Sequence, residues 1–227
     1  DTSKLIFDRE ALLGVSITGW MNNPNILFDE KILQKGAKIV KDVNKQVAEI
    51  IGINSAARTT CVKPSGNASV LLQTASGIHA EHSNMYIRNV QMNKESEITQ
   101  AIAKSNPFMV EESVWSAGGT DVVVSFPIVP KKGSMFKDDL YGVKHLELVK
   151  KAQKYWVVAG TNEDLCADKG IHHNVSNTII VDDWDEVEKY VYKNRYSFSG
   201  ISFLSPTGDK DYNQAPNTQV IDAKQMV

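Results

Sequence analysis

Arg58–Gly77 reads RTTCVKPSGNASVLLQTASG. Its left part, Arg58–Val62, is short and carries β-branched residues, which favour a strand. Its right part, from Ala68 to Ala75 (ASVLLQTA), predicts a helix. Between them stands Pro64-Ser65-Gly66-Asn67-Ala68-Ser69, a run of small, hydroxylated and amide side chains. A strand that turns sharply into a helix leaves the first N–H groups of that helix without intrahelical partners. The helix dipole adds partial positive charge at the same place, so the junction suits an anion. Gly66 permits unusual dihedrals and close approach of a ligand. Ser65, Asn67 and Ser69 add side-chain hydrogen-bonding groups, and Lys63 offers a charge or faces solvent. The same residues also make an ordinary turn with a Ser or Asn helix cap, and local chemistry leaves both readings open. Neither GxxxxGK[ST] nor GxGxxG occurs, so this is not a P-loop or a dinucleotide fingerprint.

Outward from this stretch, helical and extended patterns alternate. Asp29–Gly52 (DEKILQKGAKIVKDVNKQVAEIIG) repeats apolar residues near a helical period, with Gly52 as its stop. MYIRNVQM predicts a strand, SEITQAIAK a helix closed by Asn106-Pro107, and DVVVSFPIV a strand ended by Pro127. GVKHLELVKKAQKYWVVAG predicts a helix and NVSNTIIV a strand. WDEVEKYVYKN predicts a helix capped by Asp182 or Asp183, and GISFLS a final buried strand. Such alternation argues an α/β fold with some parallel pairing. No clear linker interrupts it. Residues 1–227 are therefore expected to form a single partial domain, with 206–227 as a polar surface tail.

Composition narrows the function classes. The chain has 227 residues, 42% hydrophobic and 23% charged, as a globular chain with a core requires. Its formal net charge is −2, from 25 basic and 27 acidic residues, which gives no electrostatic reason to expect a nucleic-acid partner. No apolar run approaches the ~20 residues of a membrane span, so no membrane partner is expected. The first residues, DTSKLIFDRE, lack the basic and apolar regions of a signal peptide and also lack Met. Cys61 and Cys166 are far apart and form no CxxC, which reads as a reduced, cytoplasmic protein. His79 and His82 stand at i, i+3 but lack the companions of a metal site, and no metal is expected.

Several strings together resemble one family. TTCVKPSGNASVLLQTASGIHAEHSNMYIRNV resembles the ribonucleotide reductase segment V-K-P-S-G-T-x-S-x-L, followed by S-G-I-H and Y-I-R. DTSKLIFDREALLGVSITGWMN resembles the preceding G-V-S-I-T-G segment. HHNVSNTIIVDDWDEVEKYVYKNRYSFSGISFLSPTGDKDYNQAP resembles the late segment with N-V-S-x-T, G-I-S-F-L-P and Q-A-P. The order matches, and the likeness spans essentially the whole chain but only the carboxy-terminal part of a family chain. It is to the monomeric, adenosylcobalamin-dependent (class II) branch, which reduces ribonucleoside triphosphates. The strand matching GISFLS has Phe203 and Leu204 where class I enzymes carry a tyrosine pair, and no class III glycyl-radical motif is visible.

The resemblance implies the C-terminal portion of a ten-stranded α/β barrel built around a thiyl radical. It implies adenosylcobalamin as cofactor and a ribonucleoside triphosphate as substrate. The implied partners are the N-terminal portion of the same enzyme and a dithiol reductant such as thioredoxin. It assigns substrate phosphate to Ser65, Gly66, Asn67, Ala68 and Ser69, with Asn67 standing where the family usually has Thr. The family's N-x-C-x-E radical motif and reducing cysteines are not in this sequence, so no catalytic residue is assigned. The chain is then expected to be a C-terminal piece of a split, processed or truncated enzyme, inactive by itself. Two other readings fit the loop alone: a stand-alone nucleotide- or phosphate-binding module, and a phosphate-handling α/β enzyme of another kind.

Overall fold

A computed structural model describes residues 1–65, 67–206 and 214–220. They cluster into two compact units, Asp1–Glu81 with Lys132–Pro206, and His82–Lys131 with Thr207–Val227. The sequence reading places all residues in one partial domain. The division arises because the excursion 82–131 pairs its own strands into a separate antiparallel sheet.

In the first unit, α1 (Thr2–Glu10) leads into β1 (Val15–Ser16), and α3 (Glu30–Ile51) follows the short α2 (Pro24–Leu27). Asp29 caps α3 by accepting the Ile32 N–H at 2.9 Å, and Gly52 ends it in the left-handed conformation, as its sequence predicts. The chain returns as β2 (Thr60–Cys61), parallel to β1 with Val15 opposite Thr60. Val62 forms a further parallel bridge to Val175. β6 (Thr178–Ile180) and β7 (Ser202–Leu204) make a second parallel pair, separated in sequence by α7 (Trp184–Lys193). Asp183 is the α7 cap, accepting the Glu186 N–H at 3.0 Å.

The core of this unit gathers Trp20, Met21, Leu33, Ile78, Leu146, Val149, Val157, Val175 and Ile179, all buried. α6 (Gly142–Ala152) supplies part of it and continues through Gln153–Val158 as a π-helix. There Trp156 donates its indole N–H to Cys61 O at 2.9 Å, tying the helix to β2. The Gln153 amide is buried and satisfied by His173 O at 2.9 Å and the Val175 N–H at 3.3 Å. Gly160 allows β2 to approach: a Cβ there would stand 1.9 Å from Thr60 Oγ1.

Glu10 and Arg58 form a buried ion pair at 2.5 Å. Arg58 also donates to Ile171 O, and Glu10 accepts the Ala167 N–H at 3.0 Å. This pair fastens the end of α1 and the approach to β2 onto the 166–171 loop.

In the second unit the strand order is β4 (Val110–Glu112), β5 (Asp121–Ile128), β3 (Tyr86–Asn93), β8 (Asn217–Gln219), all antiparallel. α5 (Glu97–Ser105) connects β3 to the 107–112 segment, with Ser96 as its cap. Pro127 does not end β5, since it pairs opposite Ile87. β4 covers β5 only over Val122–Val124, so beyond it β5 is an edge, where a missing N–H is tolerated.

Two further expectations differ from the structure. Residues 214–220 do not trail over the surface: β8 pairs with β3 and buries Ala215 and Val220. The rest of the expected tail, 207–213 and 221–227, lies outside the described residues. The GISFLS strand is not buried either, because among the described residues only β6 flanks β7. Leu204 remains 50% exposed. No helix among the described residues is long and apolar enough to cross a membrane.

Candidate functional site

The junction after β2 is a knot of serines. Val62 is held on both sides, its N–H donating to Asn174 O at 3.2 Å and its carbonyl accepting the Ser176 N–H at 2.8 Å. The Lys63 N–H then donates to Ser16 Oγ at 2.9 Å, while the residue itself is exposed. Ser65 is anchored through every polar atom. Its N–H donates to Ser76 Oγ at 2.8 Å, and its carbonyl accepts that hydroxyl at 3.0 Å. The carbonyl also accepts the Ser69 hydroxyl, and Ser65 Oγ accepts the Ser69 N–H at 3.0 Å. α4 (Asn67–Leu71) starts directly after this point.

α4 is shorter than the pattern 68–75 predicts. Gln73 takes a left-handed φ of 50°, and Asn22 captures the next residues. Asn22 Oδ1 accepts the Thr74 hydroxyl at 2.5 Å and the Ala75 N–H at 2.6 Å. The same amide donates to Glu81 and Ser134 through Nδ2, so it is fully used inside the fold. These tertiary bonds are worth more to the chain than one more helical turn.

Gly77 closes the far side of the loop. Its φ is +54°, and a Cβ would meet Lys63 O at 3.1 Å. Its N–H donates to Thr18 Oγ1 at 2.9 Å, and that hydroxyl donates to Ala75 O at 3.0 Å. Segments 15–22, 62–65 and 74–81 thus hold one another through hydroxyl and amide groups.

Of the five residues expected to meet phosphate, Ser65, Ala68 and Ser69 stand together at the start of α4. Ala68 is exposed and Ser69 buried. Gly66 lies outside the described residues, as does the Asn67 side chain. Sequence reasoning missed Ser76, Thr18 and Asn22, which position the loop rather than line it. The strings S-G-I-H and G-V-S-I-T-G contained the first two, but nothing local said which atoms they would hold.

Histidines reinforce the 76–79 segment. His79 bonds Ser76 O through Nδ1 at 3.1 Å, and its Nε2 accepts the Thr178 N–H at 3.2 Å. That arrangement assigns the proton to Nδ1 and occupies both ring nitrogens, leaving none for a metal. His145 donates through Nε2 to Ile78 O at 3.0 Å. Burial outweighs that bond and pushes its pKa down to about 4. Burial also lowers His79. Both cysteines are free, and burial raises both thiols, the opposite of an activated thiolate.

The cavities of this chain, such as those of about 520 and 470 Å³ in the first unit, are of small-ligand size.

No protein-family model matches the chain. It is 27% identical over 227 residues to a protein of Dictyostelium discoideum described as a probable adenosylcobalamin-dependent ribonucleoside-triphosphate reductase, covering 97% of this chain and 28% of that protein. It is 26% identical over 208 residues to an adenosylcobalamin-dependent ribonucleoside-triphosphate reductase of Euglena gracilis, covering 89% of this chain and 26% of that protein. A crystal structure of a B12-dependent (class II) ribonucleotide reductase superposes on all of this chain and 34% of its own, with a TM-score of 0.78 at 17% identity. The chain spans little more than a quarter of the curated relatives it matches. Sequence likeness and fold agree: the chain is similar in sequence to adenosylcobalamin-dependent ribonucleoside-triphosphate reductases and has the α/β fold of a portion of a class II ribonucleotide reductase.

Proposed function

We propose that this chain is part of a ribonucleoside-triphosphate reductase and supplies the loop that holds the substrate's phosphates. The observation that carries the proposal is the position of Ser65–Ser69, at the carboxyl end of the parallel strand β2 and the start of a helix. Ligands of α/β sheets bind at such ends. First-turn amides of a helix have no acceptor within the helix and suit an anion; in α4 the Ser69 N–H is already taken by Ser65 Oγ at 3.0 Å, so the anion would meet the amides before it. Ser65 and Ser69 hold the backbone in the shape that presents them.

In this reading adenosylcobalamin supplies the radical that activates a cysteine elsewhere in the enzyme, and a dithiol such as thioredoxin returns the reducing equivalents. This chain contributes binding and orientation. Its own thiols, raised by burial, take no part in the reduction. The larger reductase works in the cytoplasm.

The test is Ala68→Asp in the assembled reductase. A carboxylate in the first turn favours the helix, so folding is kept. It repels a triphosphate, so nucleotide affinity falls at least about tenfold, on the order of 1.4 kcal/mol. Unchanged affinity with a native circular dichroism spectrum makes the loop a capped turn and nothing more.

A further inference from the structure

The cavity of about 520 Å³ in the first unit is walled by the end of α6, the π-helix after it, the 170–172 loop and the 196–199 segment. Ile171 and His172 precede the Val175 bridge and β6, and Ser197–Ser199 precede β7. The cavity therefore stands at the amino ends of parallel strands. Ser65–Ser69 follows the carboxyl end of β2, which runs parallel to the Val175 segment. The two places lie at opposite ends of the same parallel strands, so the cavity is not part of the serine knot.

The chain has a formal net charge of −2, yet this wall holds two lysines and no carboxylate. Glu163 lies 3.7 Å from His172 Nε2 but is not part of the wall. Lys150 is half-buried, and its ammonium donates to the neutral Asn194 Oδ1 at 2.6 Å rather than to a carboxylate. An ammonium has three donors, so two remain. A charge drawn out of water is stabilised when an opposite charge meets it. Lys154 follows four residues on, exposed at the cavity. Tyr155 is the main cause that raises its pKa and Glu30 a lesser one, so the amine stays charged. Ser199 commits its hydroxyl to His172 O and His173 O, at 3.3 and 3.2 Å, which leaves Ser197 to offer a hydroxyl to a ligand. Tyr196 and Phe198 add flat aromatic surface, and the Arg195 guanidinium, 4.6 Å from the Tyr196 ring centroid, brings a third cation beside it. The π-helix Gln153–Val158 begins where α6 reaches the cavity. Such turns forgo regular helical hydrogen bonding and recur at functional sites.

We propose that this cavity is a binding site for a small organic phosphate that carries a planar ring. Lys150, Lys154 and Ser197 take the phosphate through charge-assisted hydrogen bonds. Tyr196 and Phe198 take the ring by stacking. The volume suits a ligand of that size. An uncharged ring compound would leave the two ammonium groups without a counter-charge, and a bare phosphate would leave the aromatic wall idle. A ligand at this end of the strands does not compete for the candidate substrate loop, and the site stands independently of what that loop holds.

The experiment is run on the protein at its full natural length, in an Ala68→Asp background. That change either removes a second phosphate site or removes nothing, so the outcome does not depend on the loop. Isothermal titration calorimetry compares adenosine monophosphate with adenosine, ribose monophosphate and inorganic phosphate. Saturable binding of adenosine monophosphate is expected, at least about fivefold tighter than ribose monophosphate and at least about tenfold tighter than adenosine. Lys150→Gln/Lys154→Gln weakens it at least about tenfold. Lys154→Gln alone, at an exposed position, weakens it in the same direction and carries the test if the double variant does not fold. Tyr196→Leu removes the preference over ribose monophosphate. Lys35→Gln/Lys45→Gln makes the same charge change at exposed positions of α3 and leaves the affinity unchanged. Circular dichroism checks the fold of each variant. No saturable binding, binding indifferent to the lysine variants, an equal loss in the α3 pair, or equal affinity for inorganic phosphate would each overturn the proposal.

Discussion

The Ser76 hydroxyl accepts the Ser65 N–H at 2.8 Å and donates to the Ser65 carbonyl at 3.0 Å. One side chain thus fixes the two peptide groups that flank the Ser65 Cα, where the candidate loop opens. Ser76→Ala removes both bonds, at about 1 kcal/mol each, and lowers the chain's stability by about 2 kcal/mol. If the loop holds phosphate, nucleotide affinity of the assembled reductase falls about tenfold as well. Thermal melting and nucleotide titration read the two effects. A loss of stability with unchanged affinity makes Ser76 a structural clamp alone.

His145 is buried and neutral, with its pKa lowered to about 4 against 6.5 for the free side chain. The unfolded chain therefore takes up the proton first. The contribution of neutral His145 is complete above pH 6.5 and is lost as pH falls from 6.5 towards 4. It amounts to about 3 kcal/mol. His79 and His173, also lowered by burial, add in the same direction. Denaturant melts across this range should slope downward with acid, and His145→Gln, which keeps a donor towards Ile78 O, should flatten the slope. An unchanged slope in the variant would remove His145 as its source.

Gly160 faces Thr60 so closely that a Cβ would sit 1.9 Å from Oγ1 and 2.7 Å from Cγ2. Thr60 cannot swing away without breaking its 2.7 Å bond to Trp156 O. Gly160→Ala is expected to cost about 1–3 kcal/mol through overpacking. Gly160→Ala combined with Thr60→Ala should recover part of that loss. The melting temperatures of the single and double variants decide it.

Glu10 and Arg58 are each largely excluded from solvent, so removing one charge strands the other. Glu10→Gln should destabilise by about 3–5 kcal/mol, and Glu10→Leu/Arg58→Met by less than the sum of the single changes. The Ala167 N–H holds the Glu10 carboxyl below the usual range, against the upward push of burial and with help from Arg58. Its stabilisation is present above the ordinary carboxylate pKa and is lost below it, as pH falls through the lowered folded value. A double-mutant cycle by chemical denaturation that shows additivity would contradict this coupling.

Much of the element order was legible. α3 was readable because its apolar period, Asp29 cap and Gly52 stop agree. β3 and β5 were readable because β-branched and aromatic residues crowd them. α4 was overestimated because its pattern continues to Ala75, while Asn22, distant in sequence, takes Thr74 and Ala75 for itself. β8 was missed because Asn217–Gln219 is polar and becomes a strand only through pairing with β3.

The same division holds at the candidate site. Sequence by itself determined the strand–turn–helix junction, the small residues in it and the likeness to class II ribonucleotide reductases. These depend on residues near one another in the chain, whose preferences are local. Only the tertiary structure decided that Ser76 grips Ser65, that Thr18 and Asn22 brace the loop, and that His79 has both nitrogens engaged. It also decided which side of α3 stays bare. A hydrogen bond between residues far apart, or an apolar face left uncovered, follows from where the chain brings its segments together, and no local preference encodes that.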